Sequence, residues 1–441
     1  MPLPDPSGTL SAADTTLMLI STALVVLMTP ALAFFYGGLV RSKNALNTMM
    51  MSFISLGFVG VAWIAIGYSL AFAPGNGVVG GLTSLGLAGV GLDVPDGSTI
   101  PSLLFAVFQG TFVIITAALI SGAIVERMRF GPYLTFITLW SILVYAPVAH
   151  WVWGGGWLGG DFAALDFAGG TVVHINAAAA AVVAAIYLGP RRDYGKQALL
   201  PHNVPFVLLG AGLLWFGWFG FNGGSALAAN ESAVLAFANT FVAPSAALVA
   251  WALLETLRNG KVTAVGGATA IVVGLVAVTP AAGFVSPLAA MAIGAAGSVA
   301  SYFVILWRAR TRLDDSLDVM AAHGIGGLVG AILVGVFAQA VWGGSSGLVD
   351  GNPRQVLVQL IGIVATAGYS AVATFILLKL INAVSPVRAA ARAEGVGLDV
   401  ALHSEEAYSH GEGAILLTER DFVPGVAVSV SPQLSSTGAS A

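Results

Sequence analysis

The sequence predicts an all-α polytopic membrane protein with eleven transmembrane helices, arranged as two inverted five-helix repeats plus one extra helix. The N-terminus is expected outside and the C-terminus in the cytoplasm. Three observations predict this. Only 9% of the 441 residues are charged while 57% are hydrophobic, whereas a soluble domain carries about 25% charged residues. Eleven apolar runs approach the roughly 20 residues that cross a bilayer. Lys and Arg also alternate between successive loops, as the positive-inside rule requires of a multi-span chain.

The runs lie near 14–38, 46–72, 101–124, 130–149, 166–189, 203–223, 231–256, 262–280, 285–307, 319–341 and 356–384. Arg41 and Lys43 fall after the first, Arg127 and Arg129 after the third, and Arg191, Arg192 and Lys196 after the fifth. Arg258 and Lys261 follow the seventh, Arg308, Arg310 and Arg312 the ninth, and Lys379, Arg388, Arg392 and Arg420 end or follow the eleventh. The alternate loops hold Asp93, Asp96, Asp161, Glu231 and Asp350, with Arg354 the one basic exception. A miscounted helix would break this alternation. The expected organisation is an extracytoplasmic segment 1–13, a transmembrane domain 14–384 and a cytoplasmic regulatory tail 385–441. The tail is polar, and its Ser-rich end, Ser431–Ala441, has the composition of a disordered segment.

Composition also excludes functions. There is no cysteine, hence no disulfide and no thiolate metal site. No basic cluster suits nucleic acid. Residues 1–14 carry no Lys or Arg, a poor start for a signal peptide. No cofactor and no enzymatic activity are expected.

The inverted repeat is read from two echoes. Asp166 stands eight residues before His174 at the start of the fifth run, and Asp315 stands eight before His323 at the start of the tenth. Eight residues of α-helix rise about 12 Å, enough to bring each histidine from an interface to near the midplane. The first run ends Phe-Phe-Tyr-Gly-Gly (34–38) and the sixth ends Gly-Phe-Asn-Gly-Gly (220–224). The two members of each pair run in opposite directions, the construction of many transporters.

Ionisable side chains within a membrane usually face a pathway. Either histidine alone could be a packed, hydrogen-bonded residue. Two at matched positions can share one proton and present a donor and an acceptor, which suits a small polar molecule or a proton relay. No third ligand at similar depth supports a metal site. Asp166 could cap the fifth helix, and a fixed negative charge there would also favour a cation. Trp153, Trp218 and Phe221, with Ser225, cluster toward the outer side; each aromatic could be a belt residue or part of a small-cation site. Phe108 and Phe112 read equally as core packing or as a hydrophobic constriction.

These segments resemble the ammonium transporter branch of the ammonium transporter/Rh family, over Asp14 to about Tyr408. The strongest likeness is Asp166-Phe-Ala-Gly-Gly-Thr-Val-Val-His174-Ile-Asn-Ala. Others are Phe35 to Asn44, Phe108-Gln-Gly-Thr-Phe112, Gly217 to Asn222, Asp318 to His323, and Gly397-Leu-Asp399. The resemblance implies a homotrimer with one pore per subunit, in the cell membrane. It implies that Trp153, Phe112 and Ser225 recruit ammonium, that Asp166 stabilises that site and assists deprotonation, and that Phe112 and Phe221 form a gate beside Trp218. His174 and His323 would line a hydrophobic pore for ammonia, and the tail would couple subunits and accompany control by a PII-type signalling protein. Trp151 and Trp157 and the stretch beyond Tyr408 depart from the pattern. An ammonium sensor, or a conduit for another small gas such as carbon dioxide, are rival readings.

Overall fold

The computed structural model describes residues 8–408. The expected disorder of Ser431–Ala441, the position of Arg420 and the first seven residues lie outside the described residues. Among the described residues, ten helices are long and apolar enough to cross a membrane. They are α1 (Ala12–Leu39), α2 (Ser42–Phe72), α3 (Ser102–Ser121), α4 (Phe130–Val152), α5 (Gly170–Leu188), α6 (Val204–Gly224), α7 (Glu231–Asn259), α9 (Pro287–Arg308), α10 (Met320–Phe337) and α11 (Arg354–Val384). Between α7 and α9 stands α8 (Ala264–Val278), apolar but only 15 residues long. The apolar run near 262–280 reads longer because the chain leaves α8 through a turn, Thr279–Val285, that is itself buried. Irregular backbone is tolerated at membrane depth only when protein covers it.

Side-chain caps set many helix starts. Ser11, Asn203, Asn230, Thr263 and Ser286 each accept a backbone N–H from the first turn of α1, α6, α7, α8 and α9. Those N–H groups have no partner within the helix, so a short polar side chain there replaces water. Gly260, at φ 70°, ends α7 in the left-handed conformation.

The helices pack in a repeating pattern. α1 lies against α6 along much of its length, α1 also touches α2 and α3, and α6 touches α7 and α8. α2 meets α3 and α4, as α7 meets α8 and α9. α11 packs on both α5 and α10. The α1–α6 crossing is close because small residues line it: a Cβ at Gly210 would stand 2.4 Å from the Phe35 backbone nitrogen. Close backbone approach of this kind provides dispersion contact where lipid removes the hydrophobic drive between helices.

The loops at one end carry the basic residues and are tied together. Arg41 pairs with Glu126 (2.9 Å) and Asp193 (2.7 Å), and Arg191 bridges Glu126 (3.1 Å) and Asp314 (2.8 Å). Arg127, wholly buried, donates to the carbonyls of Ala123, Gly189 and Asp314 and to Ser316 Oγ. The tail folds onto the same end through α12 (Ala391–Val396) and α13 (Leu398–His403). Arg388 pairs with Glu394, Lys43 donates to the carbonyls of Glu394 and Gly395, and Asp399 accepts the N–H groups of Leu46 and Asn47 at the start of α2.

Burial raises the Glu126 carboxyl, but Arg191 and Arg41 outweigh it and leave it below its usual value. Asp314 is likewise held low: burial raises it, and the Arg191 contacts lower it further. A carboxylate with a lowered folded-state value contributes stability above its unfolded value and loses it as pH falls through the folded one. Thermal stability in detergent should therefore fall on acidification below about pH 5, and Arg191→Gln should flatten that part of the profile. An R191Q profile identical to wild type contradicts this account.

Candidate functional site

The site begins with the starts of α5 and α10. The Asp166 carboxylate accepts four backbone N–H bonds, from Gly169 (2.8 Å), Gly170 (2.6 Å), Thr171 (2.8 Å) and Val172 (3.1 Å). Gly169, at φ 116°, supplies the turn that aims these groups at one side chain. A carboxylate offers about four acceptor positions, and all are occupied. The helix thus begins at Gly170, not at Asp166, which corrects the boundary expected near 166. Asp315 repeats the device on α10, accepting from Val319 (3.1 Å) and Met320 (2.7 Å).

A second correction concerns the eight-residue spacing. Gly170–Ile175 and Met320–Ile325 are π-helical turns. The chain from each aspartate to its histidine is a capping turn followed by a wide turn, so it climbs less than eight residues of α-helix would. Single π turns are rare and frequent at functional sites; of the four among the described residues, these two each contain one of the two histidines.

The structure brings His174 and His323 together. Their Nδ1 atoms are 3.2 Å apart and their rings lie 5.3 Å apart at 24°. His174 is 1% and His323 2% exposed. A hydrogen bond between two Nδ1 atoms requires one to donate and the other to accept. Neutral rings then expose one Nε2 lone pair and one Nε2–H to the lumen. His174 Nε2 is buried and has no protein partner. The histidines border an enclosed space of about 10 Å³, walled by aliphatic and aromatic side chains that include Leu32, Ile115, Leu119, Leu214 and Val272. That is on the order of room for one water-sized molecule.

Aromatic rings close the lumen on the side away from the basic loops. Phe112 and Phe221 stack at 4.2 Å and 21°, and Trp218 lies 5.5 Å from His174 at 19°. Trp218 Nε1 donates to Thr279 Oγ1, which fixes its plane. Trp153 stands edge-on to Phe112 at 6.1 Å, and its Nε1 donates to the Asp166 carbonyl. Phe108 is fully buried, 4.9 Å from Phe112, and does not wall the enclosed lumen. Phe112 does not wall that space either; what differs is that Phe112 stacks on Phe221. Ser225 is half-buried and donates to the Phe221 carbonyl, so it is tied to the end of α6 beside the stacked rings. On the basic side the space past His323 widens into a vestibule of about 310 Å³, bordered by Tyr36, Arg308 and Asp318. Among the described residues no cluster of three metal-ligating side chains occurs.

Sequence reasoning missed several supporting residues. Gln359 of α11 accepts from Leu165 N–H and donates to the carbonyls of Leu165 and Ala331, holding the loop before Asp166. Thr279 and Tyr36 were missed as well. An amide in the middle of an apolar run was the signal available for Gln359.

Comparison with known proteins agrees with this geometry. The model of the Ammonium Transporter Family matches residues 16–408. The chain is 51% identical over 407 residues to an ammonium transporter of Aquifex aeolicus, covering 91% of this chain and 94% of that one. Among solved structures it is similar to Mep2 of Saccharomyces cerevisiae, with TM-score 0.82 and 35% identity over 88% of this chain and 90% of that one. It is also similar to a protein described as a sensor Amt protein, with TM-score 0.83 and 29% identity over 88% of this chain and 97% of that one. Proteins of this kind move a substrate across a membrane and are not enzymes. The chain belongs to the ammonium transporter family.

Proposed function

We propose that this chain recruits ammonium beside Trp153 and Phe112, where the ion gives its proton to solvent water on the outer side of the aromatic gate, and passes ammonia along His174 and His323 to the vestibule on the basic side. The observation that carries this reading is the His174–His323 contact inside an enclosed apolar space. Potassium resembles ammonium in size and charge, but it cannot shed its charge to enter such a space, and an unpaired ion there costs far more than a neutral amine. Ammonia can accept from one histidine and donate to the other. Asp166 acts on this reading as a fixed charge and a positioning residue, because its lone pairs are committed to backbone.

The wider arrangement proposed is eleven crossings, counting α8, with α1–α5 and α6–α10 as inverted repeats and the basic loops in the cytoplasm of the cell membrane. The parallel contacts of α1–α4 and α6–α9 support it. A homotrimer with its tails at a PII-type partner is the assembly the family resemblance favours. The similarity to a sensor protein supports a second reading, in which binding moves the tail with little flux.

Growth of an uptake-deficient strain on low ammonium separates the two. Rescue by the full chain, and uptake of methylammonium that ammonium competes away, are expected of a transporter. No rescue from a chain that reaches the membrane favours the sensor. Within the gate, Phe221→Ala should weaken the discrimination against potassium. Phe108→Ala should lower thermal stability by about 3–5 kcal/mol, as truncation of a buried phenyl does, and leave that discrimination intact. Equal loss of selectivity in both would contradict the distinction drawn between the two rings.

A further inference from the structure

Helices α2 and α4 both end on the side away from the basic loops, and His150 joins their ends. It lies in the last turn of α4 and is 2% exposed. Its ring bridges two backbone carbonyls. Nδ1 stands 2.8 Å from the oxygen of Ala71, in the last turn of α2, and Nε2 stands 2.7 Å from the oxygen of Asn76, in the loop that follows. A carbonyl oxygen only accepts. A neutral imidazole has one N–H, so it satisfies one of the two and points a lone pair at the other; the imidazolium donates to both. Both distances are those of short bonds from an ionised donor. The surroundings favour the charge, since the unpaired carbonyls at a helix C-terminus carry a partial negative charge. The Asn76 carbonyl is held in place, because the Asn76 side chain accepts the N–H groups of Val78 and Val79 and fixes that turn. Titratable groups in the segments packed around the ring are Tyr68 on α2, Tyr145 on α4 and His174 on α5. In the loop after α4, Asp161 is exposed and the Asp166 carboxylate is committed to four N–H groups. No Lys, Arg or Glu lies in 63–81 or 141–175.

We infer that His150 is held as an imidazolium and is the positioning residue for Trp153, an assignment that rests on the recruitment of ammonium beside Trp153. The His150 carbonyl accepts the N–H groups of Gly154 (3.1 Å) and Gly156 (2.9 Å), which closes the turn after Trp153. The loop after α2 is stitched to the same turn: Trp157 N–H donates to the Gly77 carbonyl (3.0 Å), and Trp151 Nε1 donates to the Val78 carbonyl (2.7 Å). Gly154 leaves room for the ring, since a Cβ there would stand 2.8 Å from His150 Nδ1. The ring faces the end of α2, while the Trp153 indole faces Phe112 and the Asp166 carbonyl. The cation therefore braces the outer site from behind and does not line it. Loss of its second proton aims a lone pair at a carbonyl, pushes the loop away from the turn and lets Trp153 leave its edge-on place over Phe112.

Solid-state NMR of histidine labelled at the ring nitrogens, in proteoliposomes, tests the protonation. Of the six histidines only His150 precedes a tryptophan, so labelling the His–Trp peptide assigns it without a variant. Two protonated ring nitrogens are expected near neutral pH; one bare nitrogen there overturns the proposal. Methylammonium uptake tests the positioning. As external pH rises and the second proton leaves, the half-saturation concentration should rise about tenfold, the worth of one charge-assisted hydrogen bond, with the maximal rate nearly constant. His150→Gln donates to one carbonyl only and should hold the raised value at every pH. A half-saturation concentration that stays constant while the proton leaves, or an H150Q chain that loses only maximal rate, overturns the proposal. Trp153→Leu separates this from failure of the recruitment reading. If it leaves half-saturation unchanged, that reading fails and the positioning role falls with it, whatever the ring's protonation. If it raises half-saturation and titration of His150 does not, only the positioning role is overturned.

Discussion

Asp166→Ala should abolish uptake and lower thermal stability more than any other single change in the pore. The substitution leaves four buried N–H groups without acceptors, and each costs about 1–3 kcal/mol. The turn at Gly169 and the π-helical segment that carries His174 would relax with them. Trp153 would be disturbed as well, since its indole is held by the Asp166 carbonyl. Asp166→Asn is the sharper variant. Its single oxygen can serve two of the N–H groups, while its amide nitrogen would face the other two, so stability and uptake should fall together. Thermal unfolding in detergent and methylammonium uptake measure the two effects. An Asn variant with wild-type stability and no transport would show that the carboxylate acts as a base and not through the geometry it holds.

The second large effect is expected at the histidines. His174→Ala or His323→Ala removes one half of a donor–acceptor pair and leaves the other ring unpartnered in an apolar lumen. Loss of one buried hydrogen bond is worth about tenfold in a rate or binding constant, and ammonia entry should fall about that far. The double variant should be little worse than either single one, because two groups that act as a unit are not additive. If the proton also travels through the pair, replacement by Leu should remove current while ammonia flux persists. Unchanged selectivity and current in both alanine variants would remove the histidines from the mechanism.

Much of this was legible in the sequence because the signals were of the kind a bilayer enforces. Apolar length placed α1–α7, α9 and α11 within a few residues, and the pairing of Asp166 with His174 and Asp315 with His323 marked the two chain segments that meet. What stayed hidden depends on packing. A π turn has no composition of its own, so the starts of α5 and α10 were read four and one residues early. The short length of α8 follows from a turn folded into the protein, where an apolar run looks like more helix. The two readings of Phe108 and Phe112 could not be separated by residue type, since both are phenyl rings one turn apart on α3. Only the stacking partner, Phe221, distinguishes them.

The central claim is that an apolar, histidine-lined lumen passes ammonium's nitrogen because ammonium can give up a proton and potassium cannot. The direct measurement is the current on a solid-supported membrane carrying proteoliposomes of the purified chain, after an ammonium jump and after an equal potassium jump, together with ammonium-dependent alkalinisation of the vesicle interior. The account predicts rapid entry of ammonia after the ammonium jump and no current after the potassium jump. A potassium current of similar size, or ammonia entry no faster than in empty vesicles, would contradict it.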